Sequence, residues 1–415
     1  MKVRRIDGGV TAAKGFRAAS CAAGIKYEGR TDMAMIFSSA PCAAAGTFTS
    51  NQVKAAPVLW DMDAVYGGAP VQAVVVNAGI ANAATGKEGL DLCRGTAEYA
   101  GGALGIPASA VLLGSTGVIG PNIPLDKITA GISAMIPALS DTREAGTAAS
   151  RAIMTTDTVN KEFAAEFDLP AASGEGTVTV RIGGMSKGSG MIHPNMCTML
   201  AYLTTDCAIS RDLLQRAVSE VVPDTFNMIS VDGDTSTNDT LLVLANGEAG
   251  NRPVSEADES YLLFREALFE ICRDLAVRMA GDGEGATHLI EMTVRGADTK
   301  EHARALARSV VSSSLVKAMV FGKDANCGRI LCALGYAGVD FRPEGIELWM
   351  ADGDDLLCFY TGGRVQEFDE EKALRMLSGE KAGFICDMHM GDFEATAWGC
   401  DLTYDYVRIN GDYRS

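Results

Sequence analysis

The sequence predicts an α/β enzyme, and three observations carry that expectation. The chain has 415 residues, 47% of them hydrophobic. That is more than one ordinary core holds, so two lobes or one large layered α/β body is expected. Short apolar runs alternate with helical periodicities along the whole length. Glycine is abundant, at 46 residues, as in a well-packed, loop-rich enzyme and unlike a disordered chain.

Taken in order, residues 34–37 and 72–79 read as strands, and 110–120 as a strand ending in a tight loop. Residues 88–104 read as a helix stopped by glycine, and 143–157 as a second helix. Residues 176–184 alternate like a half-exposed strand. Beyond residue 206 come a helix over 213–222, a strand over 239–247 and a helix over 301–313. The longest amphipathic helix is predicted over 255–283, with Ser255 as its N-cap and a glycine stop. From residue 346 to 411 the pattern is strand-like. No repeat or low-complexity linker interrupts it, so one continuous α/β body is expected.

Charge and cysteine usage narrow the function. A net charge of −17 repels phosphate backbones and anionic lipids, which argues against nucleic-acid and membrane partners. The N-terminus has basic residues but no apolar core for a secretory signal. Eleven cysteines without CxxC pairs fit reduced thiols, and hence a cytoplasmic protein. The four histidines are far apart and show no metal-ligand spacing, so neither metal nor cofactor is expected.

Several local motifs are weak. The glycine clusters "KGSG" and "GDGEG" lack a following GK[ST] and are not Walker loops. "DGDTSTNDT" begins like a calcium loop, with Asp232, Asp234, Ser236 and Asn238 alternating. Its sixth position is Thr237, though, and its twelfth is Val243, so it reads as a turn that hydrogen-bonds its own backbone. His193 reads as a turn residue, and Cys197 and Cys327 as small buried hydrophobes.

The informative stretch is "KGSGMIHPNMCTMLAYLTTD", residues 187–206, where a glycine-rich loop meets an apolar run and Thr198 stands at the join. As a plain residue Thr198 would start a strand. Chemically, a threonine hydroxyl needs an adjacent base to become a nucleophile. Cutting the bond before Thr198 would supply one. The new α-amino group has an ordinary pKa of about 7.7–8.0 and lies within reach of its own hydroxyl. The same hydroxyl could make the cut by attacking the Cys197 carbonyl. Such chemistry needs an oxyanion hole, and "GSTGVIG" offers the Thr116 hydroxyl and the Gly117 N–H at a strand end.

With "STGVIG", "AIMTTDT", "KGSGMIHPNMCTML", "VDGDTSTNDT", "GEGATHLIE", "FGKDANCGRIL" and the tail "DLTYDYVRINGDYRS" in this order, the chain resembles the ornithine acetyltransferase (glutamate N-acetyltransferase) family of arginine biosynthesis. The resemblance spans essentially the full length. It implies a layered α/β/β/α fold analogous to that of N-terminal-nucleophile hydrolases. It also implies self-cleavage between Cys197 and Thr198, giving an α chain (1–197) and a β chain (198–415) that stay together as a heterotetramer of two each. The implied reaction moves acetyl from N2-acetylornithine to glutamate through acetyl-Thr198. Whether acetyl-CoA is a second donor stays open. The implied site comprises Thr198 as nucleophile and Thr116 and Gly117 at the oxyanion. Substrate contacts fall on Thr155 (or its neighbour Thr156), Lys187, Glu284, Asn410 and Ser415. Four positions depart from the family pattern: Cys197 for Ala, Cys327 for Trp, Ile80 for Asn and Ser415 for Thr. A competing expectation is a related autoprocessing amidohydrolase or aminopeptidase, in which water takes the acyl group.

Overall fold

A computed structural model of the chain describes residues 2–193 and 199–412. It bears out the α/β expectation but divides the chain into two compact units rather than one continuous body. The first comprises residues 1–188, 195–223 and 235–275, and the second 189–194, 224–234 and 276–415. Among the described residues no helix is long and apolar enough to cross a membrane.

The first unit is built on a nine-stranded mixed sheet. Its order is Arg4–Ile6, Lys161–Pro170, Thr177–Lys187, Leu200–Thr205, Thr240–Ala245, Met33–Phe48, Val71–Asn77 and Val111–Ser115, with Phe16–Cys21 also paired to Met33–Phe48. Leu200–Thr205 runs parallel to Thr240–Ala245, and Val71–Asn77 parallel to Val111–Ser115. Strands Leu200–Thr205, Thr240–Ala245 and Val111–Ser115 are buried on both faces, which is why they read as unbroken apolar runs. Val71, Val74 and Val76 enter one core with Ile36, Leu112 and Tyr202. The alternate residues Ala73 and Val75 enter a second core with Met33, Met35 and Leu113. Helices Gly86–Leu104 and Leu125–Met135 line the second core through Cys93, Ala97, Ile128 and Ile132. Helix Arg143–Ala152 lines the first through Ala149 and Ala152.

The second unit has a seven-stranded sheet in the order Ile229–Ser230, Phe393–Cys400, Leu289–Ala297, Lys381–Asp387, Glu347–Asp352, Asp355–Thr361 and Arg364–Val365. Helix Lys300–Ser312 packs on its central strands. A buried lysine, Lys317, ties the strand ends together by donating to Ser230 O at 3.1 Å and Cys400 O at 2.7 Å. His193 lies beside this cluster, its Nδ1 3.0 Å from Ser230 Oγ. Burial, and then the Arg308 and Lys317 charges, lower its pKa to about 4.

Three element boundaries differ from expectation. The helix predicted over 143–157 stops at Ala152; residues 153–160 form the loop on which Thr155 sits. The long helix starts at Glu259, not near Ser255. Its cap is Asp258, whose Oδ1 accepts from the N–H groups of Ser260 (2.9 Å) and Tyr261 (3.2 Å). The tail read as strand-like contains a helix, Tyr404–Gly411, capped by Thr403 Oγ1 accepting from Tyr406 N–H. A capping threonine and a short polar run outweighed the aromatic and β-branched residues that suggested a strand.

Two stability outcomes follow. Asp258→Ala should lower unfolding stability by about 0.5–2 kcal/mol, the usual loss for an N-cap, while Ser255→Ala leaves it within about 0.5 kcal/mol. Urea denaturation distinguishes the two. His193 is the second case. Its folded pKa is depressed, so its stabilising effect is complete above its ordinary value of 6.5 and drains away as pH falls toward about 4. His193→Gln should flatten the pH dependence of thermal stability within that window, as read by melting scans at stepped pH.

Candidate active site

The site residues of the first unit gather where two parallel strands end. Val71–Asn77 and Val111–Ser115 pair in register through Asn77 and Ser115. Beyond them the chain turns at Gly79 and Gly117 before pairing again as Ile80–Ala81 and Val118–Ile119. Gly117 has φ +127°, and a Cβ there would stand 2.2 Å from the Gly79 carbonyl carbon. Only glycine fits so close a backbone approach at that dihedral. The flanking donors are used: Thr116 N–H goes to Asn77 O at 3.0 Å and Val118 N–H to Gly79 O at 3.1 Å. Among the described residues none accepts from the Gly117 N–H. The turn therefore holds one backbone donor in reserve beside the Thr116 hydroxyl, the pairing expected of an oxyanion hole.

Asparagines brace this turn. Asn77 Nδ2 donates to Ile80 O at 2.7 Å, and Asn82 N–H donates to Ser115 Oγ at 2.8 Å. Asn238 Nδ2 donates to Ser115 O at 2.9 Å. Residue 80 thus serves the turn through its backbone carbonyl. The acidic loop behaves as the turn its sequence suggested, with Asn238 N–H on Ser236 Oγ at 3.1 Å. It also reaches the turn before Gly117 through Asn238. Among the described residues no cluster could hold a metal ion.

Lys187, at the end of its strand, is buried and donates to Thr116 Oγ1 at 3.3 Å. Beside it lies Asp157, which the sequence reading passed over. Asp157 Oδ1 accepts from Lys161 Nζ at 2.7 Å and from Gly188 N–H at 2.7 Å, while Oδ2 accepts from Thr155 N–H at 3.1 Å. The Asp157 and Lys161 side chains are both 0% exposed. Burial alone would raise the Asp157 pKa. The Lys187 and Lys161 charges outweigh it and bring the carboxyl to about 2. Thr155 is held from both sides, since Arg30 donates to its carbonyl and to that of Met154, each at 3.0 Å.

In the second unit Glu284 is buried and accepts from Asn410 Nδ2 at 2.7 Å. Its N–H donates to Ser189 O at 2.9 Å. A Cβ on Gly190 would meet the Glu284 carboxyl at 2.4 Å, so the glycine-rich loop lies directly against the carboxylate. The C-terminal helix is fastened to the same loop. Thr403 Oγ1 donates to Gly285 O at 2.7 Å, and Asp401 Oδ1 accepts from the N–H groups of Thr287 and His288. Asp232 receives Met191 N–H at 2.6 Å, Ile192 N–H at 2.9 Å and the Tyr406 hydroxyl at 3.4 Å.

The expected residues thus fall into two sets. Thr116, Gly117, Thr155 and Lys187 form one connected group in the first unit. Glu284 and Asn410 form a pair in the second. Thr198, Cys197 and Ser415 lie outside the described residues, as does the expected cut between 197 and 198. Cys327 is buried at the start of helix Cys327–Gly335, where burial raises its thiol pKa, as for a small hydrophobe. Asp157 and Lys161 escaped notice because only the folded loop brings them to Lys187. Asn77 and Asn82 did stand in a visible "NAGIANA" run.

Comparison with known proteins places the chain in a family. The arginine biosynthesis bifunctional protein ArgJ of Symbiobacterium thermophilum is 50% identical over 412 residues, covering 99% of each chain. A crystal structure of the arginine biosynthesis bifunctional protein from Bacillus halodurans is 42% identical with a TM-score of 0.48, covering 51% of this chain and 97% of that one. The ornithine acetyltransferase of Mycobacterium tuberculosis, crystallised with ornithine, is also 42% identical, with a TM-score of 0.41 and coverage of 46% and 98%. The profile of the ArgJ family matches residues 17–415. The chain belongs to the ArgJ family.

Proposed function

We propose that this chain is an arginine-biosynthetic acetyltransferase that first cleaves itself and then moves acetyl from N2-acetylornithine to glutamate. One observation carries the reading: the Gly117 N–H and the Lys187-bonded Thr116 hydroxyl stand together at one strand end. That is a pair of donors fit for a developing oxyanion. Family membership and the place of Thr198 in the sequence support the rest.

In self-cleavage the Thr198 hydroxyl attacks the Cys197 carbonyl, and the acyl group shifts from nitrogen to oxygen. Water opens the ester, leaving a carboxylate on Cys197 and a free α-amino group on Thr198. In transfer, the Thr198 hydroxyl attacks the acetyl carbonyl, and its proton passes to that amine. The C–N bond breaks, and ornithine leaves with the proton on its α-nitrogen. The glutamate amine then attacks the acetyl ester, and Thr198 regains its hydroxyl. Thr116 and Gly117 receive the oxyanion at each stage.

The amino-acid substrates suit the charges present. Lys187 offers an ammonium to a carboxylate, and Glu284, steadied by Asn410, offers a carboxylate to an ammonium. Thr155 and Ser415 supply neutral hydroxyls. The reaction needs no metal or cofactor. The relative's name, a bifunctional protein, motivates acetyl-CoA as a second donor. The two chains of one precursor would assemble as a cytoplasmic heterotetramer of two each.

Thr198→Ala should leave a single intact chain, seen by mass spectrometry, with no transferase activity. Cleavage of that variant at the same bond would overturn the acyl-shift account. In the wild type, N2-acetylornithine and glutamate varied together should give parallel double-reciprocal lines. Acetyl release at the same rate without glutamate would point instead to an amidohydrolase. Thr116→Ala should lower kcat by about 10²–10³, the usual loss for an oxyanion donor, with a smaller change in KM. A raised KM with kcat intact would place Thr116 in substrate binding.

A further inference from the structure

Asp157 is an ionised carboxylate with no exposed side-chain surface, and its bonds reach three parts of the site. It accepts from Thr155 N–H, from Gly188 N–H immediately after Lys187, and from Lys161 Nζ. Lys187 in turn donates to Thr116 Oγ1 at 3.3 Å. An ammonium has three donors and no lone pair, so it cannot accept the Thr116 proton. With its oxygen engaged by Lys187, the Thr116 hydroxyl must point its own hydrogen elsewhere, as a donor alongside the Gly117 N–H.

We propose that Asp157 is the positioning residue of the oxyanion site. Through its bonds to Lys161 and Gly188 it fixes the Lys187 ammonium on Thr116 Oγ1, and so aims the Thr116 O–H outward. This rests on the oxyanion role proposed above for Thr116. The carboxylate does two separable jobs. It neutralises Lys161, which has no exposed side-chain surface, and that is a matter of folding. It also sets the place of Lys187 and the Gly188 backbone, and that is a matter of rate. Lys161 donates to Asp157 Oδ1 and to Val159 O, so removing both groups deletes one charge of each sign while leaving Lys187 without its guide.

Two variants separate these jobs. Asp157→Asn alone leaves Lys161 buried beside an uncharged amide and should lower the melting temperature, to the point of poor folding. The double variant Asp157→Asn/Lys161→Met removes that unpaired charge. It should regain melting temperature yet keep kcat down by about tenfold or more, a part of the 10²–10³ that an oxyanion donor supplies. KM should move less than kcat. Recovery of wild-type kcat together with stability would reduce Asp157 to a fold anchor and overturn the proposal. A cycle with Thr116→Val is the second measure. In that background the double variant should cost little more, because its effect runs through the missing hydroxyl. Losses that multiply would overturn the proposal. If Thr116→Val by itself keeps wild-type kcat, the oxyanion reading of Thr116 fails first, and that outcome is distinct from a fault in the role of Asp157.

Discussion

The approach of two glycine backbones fixes the rest of the first unit's site. A Cβ on Gly117 would overlap the Gly79 carbonyl at 2.2–2.3 Å, and both glycines have positive φ, +127° and +100°. Two parallel strands ending side by side would ordinarily diverge into separate loops. Here they stay in contact through a two-residue second pairing, Ile80–Ala81 with Val118–Ile119. The strands supply direction and the glycines supply closeness. Together they leave the Gly117 N–H and the Thr116 hydroxyl on one small turn. The Asn77 and Asn238 side chains and the Asn82 backbone N–H then tie that turn down, on Ile80 O, Ser115 O and Ser115 Oγ in turn.

Charge is placed with similar economy. The chain is strongly acidic overall, yet around Thr116 the buried groups are two lysines and one aspartate, a locally positive cluster. Buried ammonium groups survive only with a partner. Asp157 is that partner, and it is bonded to the backbone as well as to a lysine, so its position is set by the fold rather than by side-chain preference. The Glu284 carboxylate is treated in the opposite sense: it receives a neutral amide from Asn410, which satisfies an oxygen without cancelling the charge.

How much of this the sequence disclosed depends on the range of the interaction. Strands buried on both faces announced themselves as apolar runs, and the glycine-bounded "STGVIG" turn could be located from its residues alone. The cap of the long helix was misplaced by three residues because Ser255 and Asp258 are both good caps. Only the hydrogen bonds to Ser260 and Tyr261 choose between them. The helix at the C-terminus was missed because its aromatic and branched residues suit a strand equally well in isolation. The division into two units was hidden by the chain path, which leaves the first unit and returns to it twice. Asp157 was invisible for a different reason. A carboxylate in a loop is usually solvated, and nothing local signals that residues 161 and 187 will close over it.

The C-terminal helix shows how a terminal segment is tied to the body of its unit. Terminal segments generally fray unless tied down. Tyr404–Gly411 contributes no buried residue of its own, and Tyr404 is 84% exposed, so hydrophobic burial does not hold it. Polar contacts do, and most converge on residues 284–288: Asp401 on two backbone N–H groups, Thr403 on the Gly285 carbonyl, Asn410 on the Glu284 carboxylate, with the Tyr406 hydroxyl on Asp232 beside them. Gly285, at φ +70°, lets the helix start come close, since a Cβ there would lie 2.8 Å from Tyr406 N. An attachment made of directional bonds rather than apolar area sets orientation more tightly than strength. The one side-chain amide it sets in place is that of Asn410, on the Glu284 carboxylate.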